Sequence, residues 1–146
     1  MRFNLREHLA VALSVTVLCL AILILVVWDR QAPITIERGE VLPHEVRAGN
    51  DIHIRITDYW HRRCTGMVYR EVIGSDSIVH SYLPVRSRFS VDLEKQTIDL
   101  PLTLPAELPP GPAIVQSVVR FRECGFTSQW WPLVVVGPEI PFTVIE

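Results

Sequence analysis

The apolar and polar positions of this chain follow one rule before Pro33 and another after it. From Leu9 to Trp28 the run LAVALSVTVLCLAILILVVW holds no charge, no Pro and no Gly, and only Ser14, Thr16 and Cys19 are mildly polar. A helix rising about 1.5 Å per residue takes such a run across the roughly 30 Å hydrocarbon core of a bilayer. A helix also satisfies every backbone N–H and C=O where water is absent. The run exceeds the usual apolar region of a cleavable signal peptide, and WDRQA behind it offers no small-x-small cleavage site. The pattern therefore predicts an uncleaved transmembrane signal-anchor over 9–28, a cytoplasmic tail over 1–8 and a short linker over 29–33. Arg2 and Arg6 precede the run, whereas Asp29 and Arg30 cancel behind it. That asymmetry places the N-terminus in the cytoplasm and the remaining chain outside, in a bacterial periplasm if the membrane is a bacterial inner membrane.

After Pro33 the period is two, and no segment has a convincing period of 3.6. Ile34 and Ile36 alternate with Thr35 and Glu37 in an extended stretch from Pro33 to Arg38. A turn follows at Ala48-Gly49-Asn50, then a strand from Asp51 to Thr57 with Ile52, Ile54 and Ile56 on one face. The next six residues, DYWHRR, are expected to form a polar and aromatic loop. Thr65 to Ile73 and Ile78 to Leu83 make a hairpin around Gly74-Ser75-Asp76-Ser77. Phe89 to Leu93 and Thr97 to Leu104 form another pair, in which Pro101 marks an edge strand. The Pro-rich stretch PAELPPGP, 105–112, lacks too many N–H donors to extend a ladder and should cross between sheets. Ala113 to Glu123 is the strongest later strand, and Leu133 to Val136 with Ile140 to Ile145 forms the last, broken at Gly137-Pro138. About seven to eight short strands with regular turn signals predict an all-β domain over 34–146, a β-sandwich with a Greek-key crossing.

Charge narrows the function classes. Outside Arg2, Arg6 and Glu7 the chain carries twelve Arg and Lys against fifteen Asp and Glu, and Lys95 is its only lysine. A nucleic-acid binder would present a basic face and a high pI. No glycine-rich phosphate loop, internal repeat or charge block is present.

Cys64 and Cys124 are the two cysteines outside the apolar run. An oxidising compartment favours a disulfide between them, with free thiols or metal ligation as the alternatives. The sequences VRAGNDIHIRIT…RRC and PPGPAIVQSVVRFREC with the closing PEIPFTV resemble an immunoglobulin- or fibronectin-type module. They are also similar to small membrane-anchored proteins of bacteriophage genomes. In the immunoglobulin order, Cys64 falls at the start of the third strand and Cys124 at the end of the sixth. Those strands are antiparallel neighbours, so the resemblance implies a bridge that pins one end of the sandwich. The family's core tryptophan and tyrosine corner have no counterpart, and Arg122 stands two residues before Cys124.

Three chemistries compete for the polar residues. His61 and Cys64 with Cys124, and His53 or Glu123 beside them, suggest a periplasmic metal- or thiol-handling module, though one close His–Cys pair is half of a zinc site. Ser77, Asp76 and His80 have the composition of a hydrolase triad, yet adjacent hairpin residues point apart and no nucleophile elbow is present. A binding surface is the third reading. Tyr59, Trp60, Arg62 and Arg63 lie in one predicted loop, and Phe126, Trp130 and Trp131 in another. Tryptophan, tyrosine and arginine are enriched at interaction hot spots. The sequence therefore favours a non-enzymatic binding or scaffold module without cofactor, held to a lipid bilayer through Leu9 to Trp28. Its aromatic loops then meet a protein partner or the headgroups of its own membrane.

Overall fold

The computed structural model describes residues 5–87 and 95–146. The apolar run forms one helix, α1 (Leu5–Asp29), of which His8–Asp29 has a mean hydropathy of 3.1 and no part buried in the protein. Ser14 and Thr16 each turn their hydroxyl back to the carbonyl four residues earlier, at 2.9 Å, so neither exposes an unpaired donor.

The remainder is β-structure: β1 (Ile34–Leu42), β2 (Glu45–Arg47), β3 (Asp51–Trp60), β4 (Gly66–Ile73), β5 (Val79–Ser81), β6 (Val85–Arg86), β7 (Lys95–Thr103), β8 (Gly111–Phe121), β9 (Leu133–Val136) and β10 (Ile140–Ile145). One sheet has the order β1-β3-β7. The other runs β2-β10-β8-β4-β5, with β6 also on β4 and β9 also on β8. All pairings are antiparallel except β2 with β10, which are parallel. The two sheets share a core: Val41, Ile52, Ile54 and Leu102 from the first meet Val72, Val115, Phe142 and Val144 from the second.

Several expected elements are present with shifted ends. The first strand continues beyond Arg38 to Leu42, because Glu37 is an extra residue and the register shifts between Ile36 and Arg38. Such a bulge exchanges the inward and outward positions, so Val41 is buried where uninterrupted alternation would have faced it to solvent. Inside the same strand Gly39 approaches Ile140 so closely that a Cβ would overlap its side chain. The crossing between the sheets is shorter than expected, 104–110, because Gly111 and Pro112 already belong to β8 opposite Val144 and Thr143; β9 and β10 lie end to end along β8 on either side of Gly137-Pro138. Pro101 sits opposite His53 in β7, an edge strand among the described residues. The expected strand Phe89 to Leu93 lies outside the described residues.

The stretch DYWHRR requires a correction. Its first three residues are not a loop but the end of β3, whose alternation persists: Ile52, Ile54, Ile56, Asp58 and Trp60 all point inward. Trp60 is 3% exposed and meets Phe121 edge-to-face, with ring centroids 6.1 Å apart. The same inward row carries a carboxylate into the interior, with Asp58 2% exposed. Burial pushes the Asp58 carboxyl above its ordinary value near 3.8, while the Gln96 amide and Trp60 indole draw it partly back.

An acid raised in the folded state costs stability as pH climbs from its unfolded value through its folded one. Asp58→Asn should therefore unfold at a higher temperature than the parent near neutrality. The gain should fade to nothing below about pH 4, where both forms are uncharged. Thermal scans of the full chain in micelles across that range test this, and a gain independent of pH would contradict it.

Candidate functional site at the helix-proximal end

The chain leaves α1 at Asp29 and enters β1 at Ile34, which pairs with Trp60 at the far end of β3. The start of β1, the end of β3 and the segment after β8 therefore gather at the end of the domain from which the helix emerges. A second buried cluster fills that end, built from Ile34, Trp60, Cys64, Val119, Phe121, Cys124 and Leu133. Cys64 and Cys124 are joined through their sulfurs, with Cα atoms 4.8 Å apart, so the link ties the entry to β4 to the exit of β8.

Helix and domain are connected by polar contacts as well as by the chain. An acid at a helix C-terminus opposes the macrodipole, and Asp29 occupies that position in α1. Its Oδ2 accepts from the Thr127 backbone N–H at 2.7 Å and the Thr127 hydroxyl at 2.5 Å. Thr127 begins a single 3-10 turn, η1 (Thr127–Gln129). Arg62 supplies the other connection: Nη2 donates to the Asp29 carbonyl at 3.0 Å and to the Gln31 carbonyl, and Nη1 to the Cys124 carbonyl at 3.4 Å. Arg30 donates to the Trp131 carbonyl and lays its guanidinium over the Trp131 ring, 4.4 Å from the centroid. The loop itself folds around Ser128, fully buried, whose hydroxyl accepts from the Cys124 N–H at 3.0 Å and faces the Gly125 carbonyl at 2.8 Å. Gly125 packs against Asp29 so tightly that a Cβ would overlap the carboxylate.

This arrangement sorts the residues proposed from sequence. Phe126, Trp130 and Trp131 are 76%, 71% and 69% exposed, and Phe126 packs edge-on to Trp130 at 4.9 Å. Tyr59 is partly exposed beside His61, and Arg63 is exposed. Trp60 belongs to the core, not to the surface, because it continues the inward row of β3. Arg62 is committed to backbone carbonyls of the joint and is not a free surface charge. The contributions of Asp29, Arg30, Thr127 and Ser128 were not anticipated. The charge of Asp29 at a helix end was the only sequence signal for any of them.

The competing chemistries fare differently. The sulfurs of Cys64 and Cys124 are consumed by each other, and the His61 ring pairs through Nε2 with the Thr35 hydroxyl at 2.7 Å. Among the described residues no group of three or more His, Cys, Asp or Glu gathers to hold a metal ion. Asp76 accepts from the Ile78 N–H at 3.0 Å and Ser77 has φ 64°, the geometry of a hydrogen-bonded turn and not of a triad.

No protein-family model and no curated protein matches the chain. Among solved structures it is similar to the alkylpurine DNA glycosylase AlkC of Pseudomonas fluorescens bound to abasic-site DNA, at 13% identity and a TM-score of 0.50. The match covers 79% of this chain but only 31% of the glycosylase. The sporulation control protein Spo0M of Bacillus subtilis matches at 14% identity and a TM-score of 0.43, over 80% of this chain and 51% of that one. At such identities the first likeness concerns the fold of a portion of the glycosylase and not its activity.

Two substitutions test the joint. The cysteines are 60 residues apart, so the chain-entropy model gives their link about 4 kcal/mol. Cys64→Ser and Cys124→Ser should each lose roughly that amount, and the double variant no more than either single change in urea unfolding. Additive losses would show that the sulfurs act separately. Gly125→Ala should cost about 1–3 kcal/mol by displacing Asp29. It should also accelerate hydrogen exchange at the Thr127 amide, and unchanged exchange there would mean that the contact is not held in solution.

Proposed function

We propose that this chain is a single-pass membrane protein with a cytoplasmic N-terminus and an extracytoplasmic, immunoglobulin-like β-sandwich that sits on the membrane surface. There it serves as a binding or scaffold module and not as an enzyme. One observation carries the reading: the exposed rings of Phe126, Trp130 and Trp131 stand at the end from which α1 emerges, fixed to the helix terminus through Asp29–Thr127 and Arg30–Trp131. Amphipathic rings are favoured at the headgroup level, and Arg63 adds a cation for anionic lipid. The orientation follows from Arg2 and Arg6 ahead of the apolar run. The immunoglobulin-like order is supported by β1-β3-β7 facing β2-β10-β8-β4-β5, with β2 parallel to β10. A disulfide suits an oxidising compartment, in agreement with a domain outside the cytoplasm.

Tryptophan quenching by lipid brominated near the headgroup tests the docking. With Trp28→Phe in place and Trp60 buried, quenching should persist and should vanish when Trp130 and Trp131 are also replaced by Phe. If Trp28→Phe alone abolishes it, the aromatic end does not touch the bilayer.

A further inference from the structure

The domain buries its apolar residues in two clusters, and the boundary between them is polar. At that level Asp58 pairs in register with Gln96 on one sheet, and Arg70 pairs with Ser117 on the facing sheet. Asp58 and Ser117 are 2% and 5% exposed, so both are well over nine-tenths buried. Asp58 Oδ1, Ser117 Oγ, Trp60 Nε1 and Arg70 Nε are buried without a hydrogen bond of normal geometry, although the Gln96 amide and the Trp60 indole stand close enough to Asp58 to draw on its carboxylate. Buried polar atoms are paired in the great majority of cases, so four orphans in one place call for an explanation.

They surround a cavity. A space of about 590 Å³ separates the sheets at this level, bounded by Asp58, Trp60, Arg70, Gln96 and Ser117 and otherwise mainly by aliphatic side chains such as Ile36, Ile56, Ile98, Val68 and Val119. Its lining also includes Val85, Arg86 and Ser87 of and after β6 and Gln96 and Ile98 of β7. That size, with apolar walls and a few convergent polar atoms, is typical of a small-molecule site.

The orphans also specify the ligand. Trp60 Nε1 and Arg70 Nε can only donate, the Ser117 hydroxyl can do either, and Asp58 Oδ1 requires a donor while ionised. A hydroxyl meets both needs, donating to Asp58 and accepting from the others. Two acidic and two basic side chains line the cavity, Asp58 and Asp99 from one sheet and Arg70 and Arg86 from the other, so an anionic head would meet the carboxylates and a cationic head the guanidiniums. We propose that this cavity binds a neutral hydroxyl-bearing amphiphile of the monoacylglycerol class, with its head among Asp58, Trp60, Arg70 and Ser117 and its chain along the aliphatic walls. Ile34 and Trp60 of the helix-proximal cluster line the cavity, and the supply of such a molecule from the adjacent bilayer rests on the membrane-anchored reading above.

The test uses the full chain in lipid nanodiscs with Trp28, Trp130 and Trp131 replaced by Phe, leaving Trp60 as the only reporter. A monoacylglycerol brominated on its chain should quench Trp60 saturably, whereas a diacyl phosphatidylcholine with bromine at the same depth should not. Unbrominated monolauroylglycerol should compete about tenfold more effectively than dodecanoate or dodecylamine. Asp58→Leu, which removes the acceptor from the polar level, should weaken binding at least fivefold, and Ser117→Val should do so to a lesser degree. Both variants must retain the parent's circular dichroism. Equal competition by the charged amphiphiles, equal binding by Asp58→Leu, or an unquenched Trp60 would each overturn the proposal, the last meaning that the protein fills the cavity itself. Headgroup quenching in the Trp130- and Trp131-containing protein is measured alongside. Its presence with an unquenched Trp60 leaves the membrane reading intact, and its absence with a quenched Trp60 removes the docking and keeps the site.

Discussion

The shortness of the chain between α1 and β1 governs the rest of the architecture. Four residues, 30–33, join a helix ending at Asp29 to a strand beginning at Ile34, and they span at most about 14 Å. Antiparallel pairing of β1 with β3 then forces Trp60, Arg62 and Cys64 to the same end as the helix terminus. The segment after β8 is brought there as well, because β4 and β8 are antiparallel neighbours linked through Cys64 and Cys124. Every polar contact of the joint depends on that convergence.

Given the convergence, the joint is made from backbone as much as from side chains. Arg62 reaches carbonyls of Asp29, Gln31 and Cys124, which belong to the helix end, the linker and the late loop. A planar guanidinium with five donors is suited to serving three acceptors at once, and a lysine at 62 would not span them. Beneath it, the edge-to-face pair of Trp60 and Phe121 gives the joint a firm floor. The exposed rings of Phe126, Trp130 and Trp131 are thus presented by a braced loop, which reduces the entropy lost when they are immobilised against a surface.

How far the sequence was legible depended on how local each signal was. The apolar run, most period-two strands and most of the Pro-rich crossing are written in contiguous residues and coincide with elements of the structure, whereas the short β2 and β6 were not read and Gly111-Pro112 belongs to β8. Two misreadings share a cause. Alternation was stopped at Arg38 and at Thr57 because polar residues followed, but Glu37 was a bulge and Asp58 was a buried carboxylate inside a continuing row. A polar residue at an inward position looks like the end of a strand when only the neighbouring sequence is visible. Whether it is one depends on the facing sheet, here on Arg70 in the next long strand and on Ser117 much later in the chain. The aromatic patch was half legible for the same reason: Trp130 and Trp131 are loop residues by sequence and by structure, whereas Trp60 changes side once β3 is given its full length.

Pro101 has a consequence beyond ending a pattern. It lies in β7, which among the described residues has no strand neighbour on the side away from β3. Open strand edges are templates for pairing with another chain, and a proline there withholds a donor that such pairing would use. On the membrane-anchored reading proposed above this would matter more than in free solution, because neighbours tethered at the same height and in the same orientation would meet at high effective concentration. The ring of one residue thus works against sheets merging sideways into ribbons, so that crowding can bring copies together without fusing them.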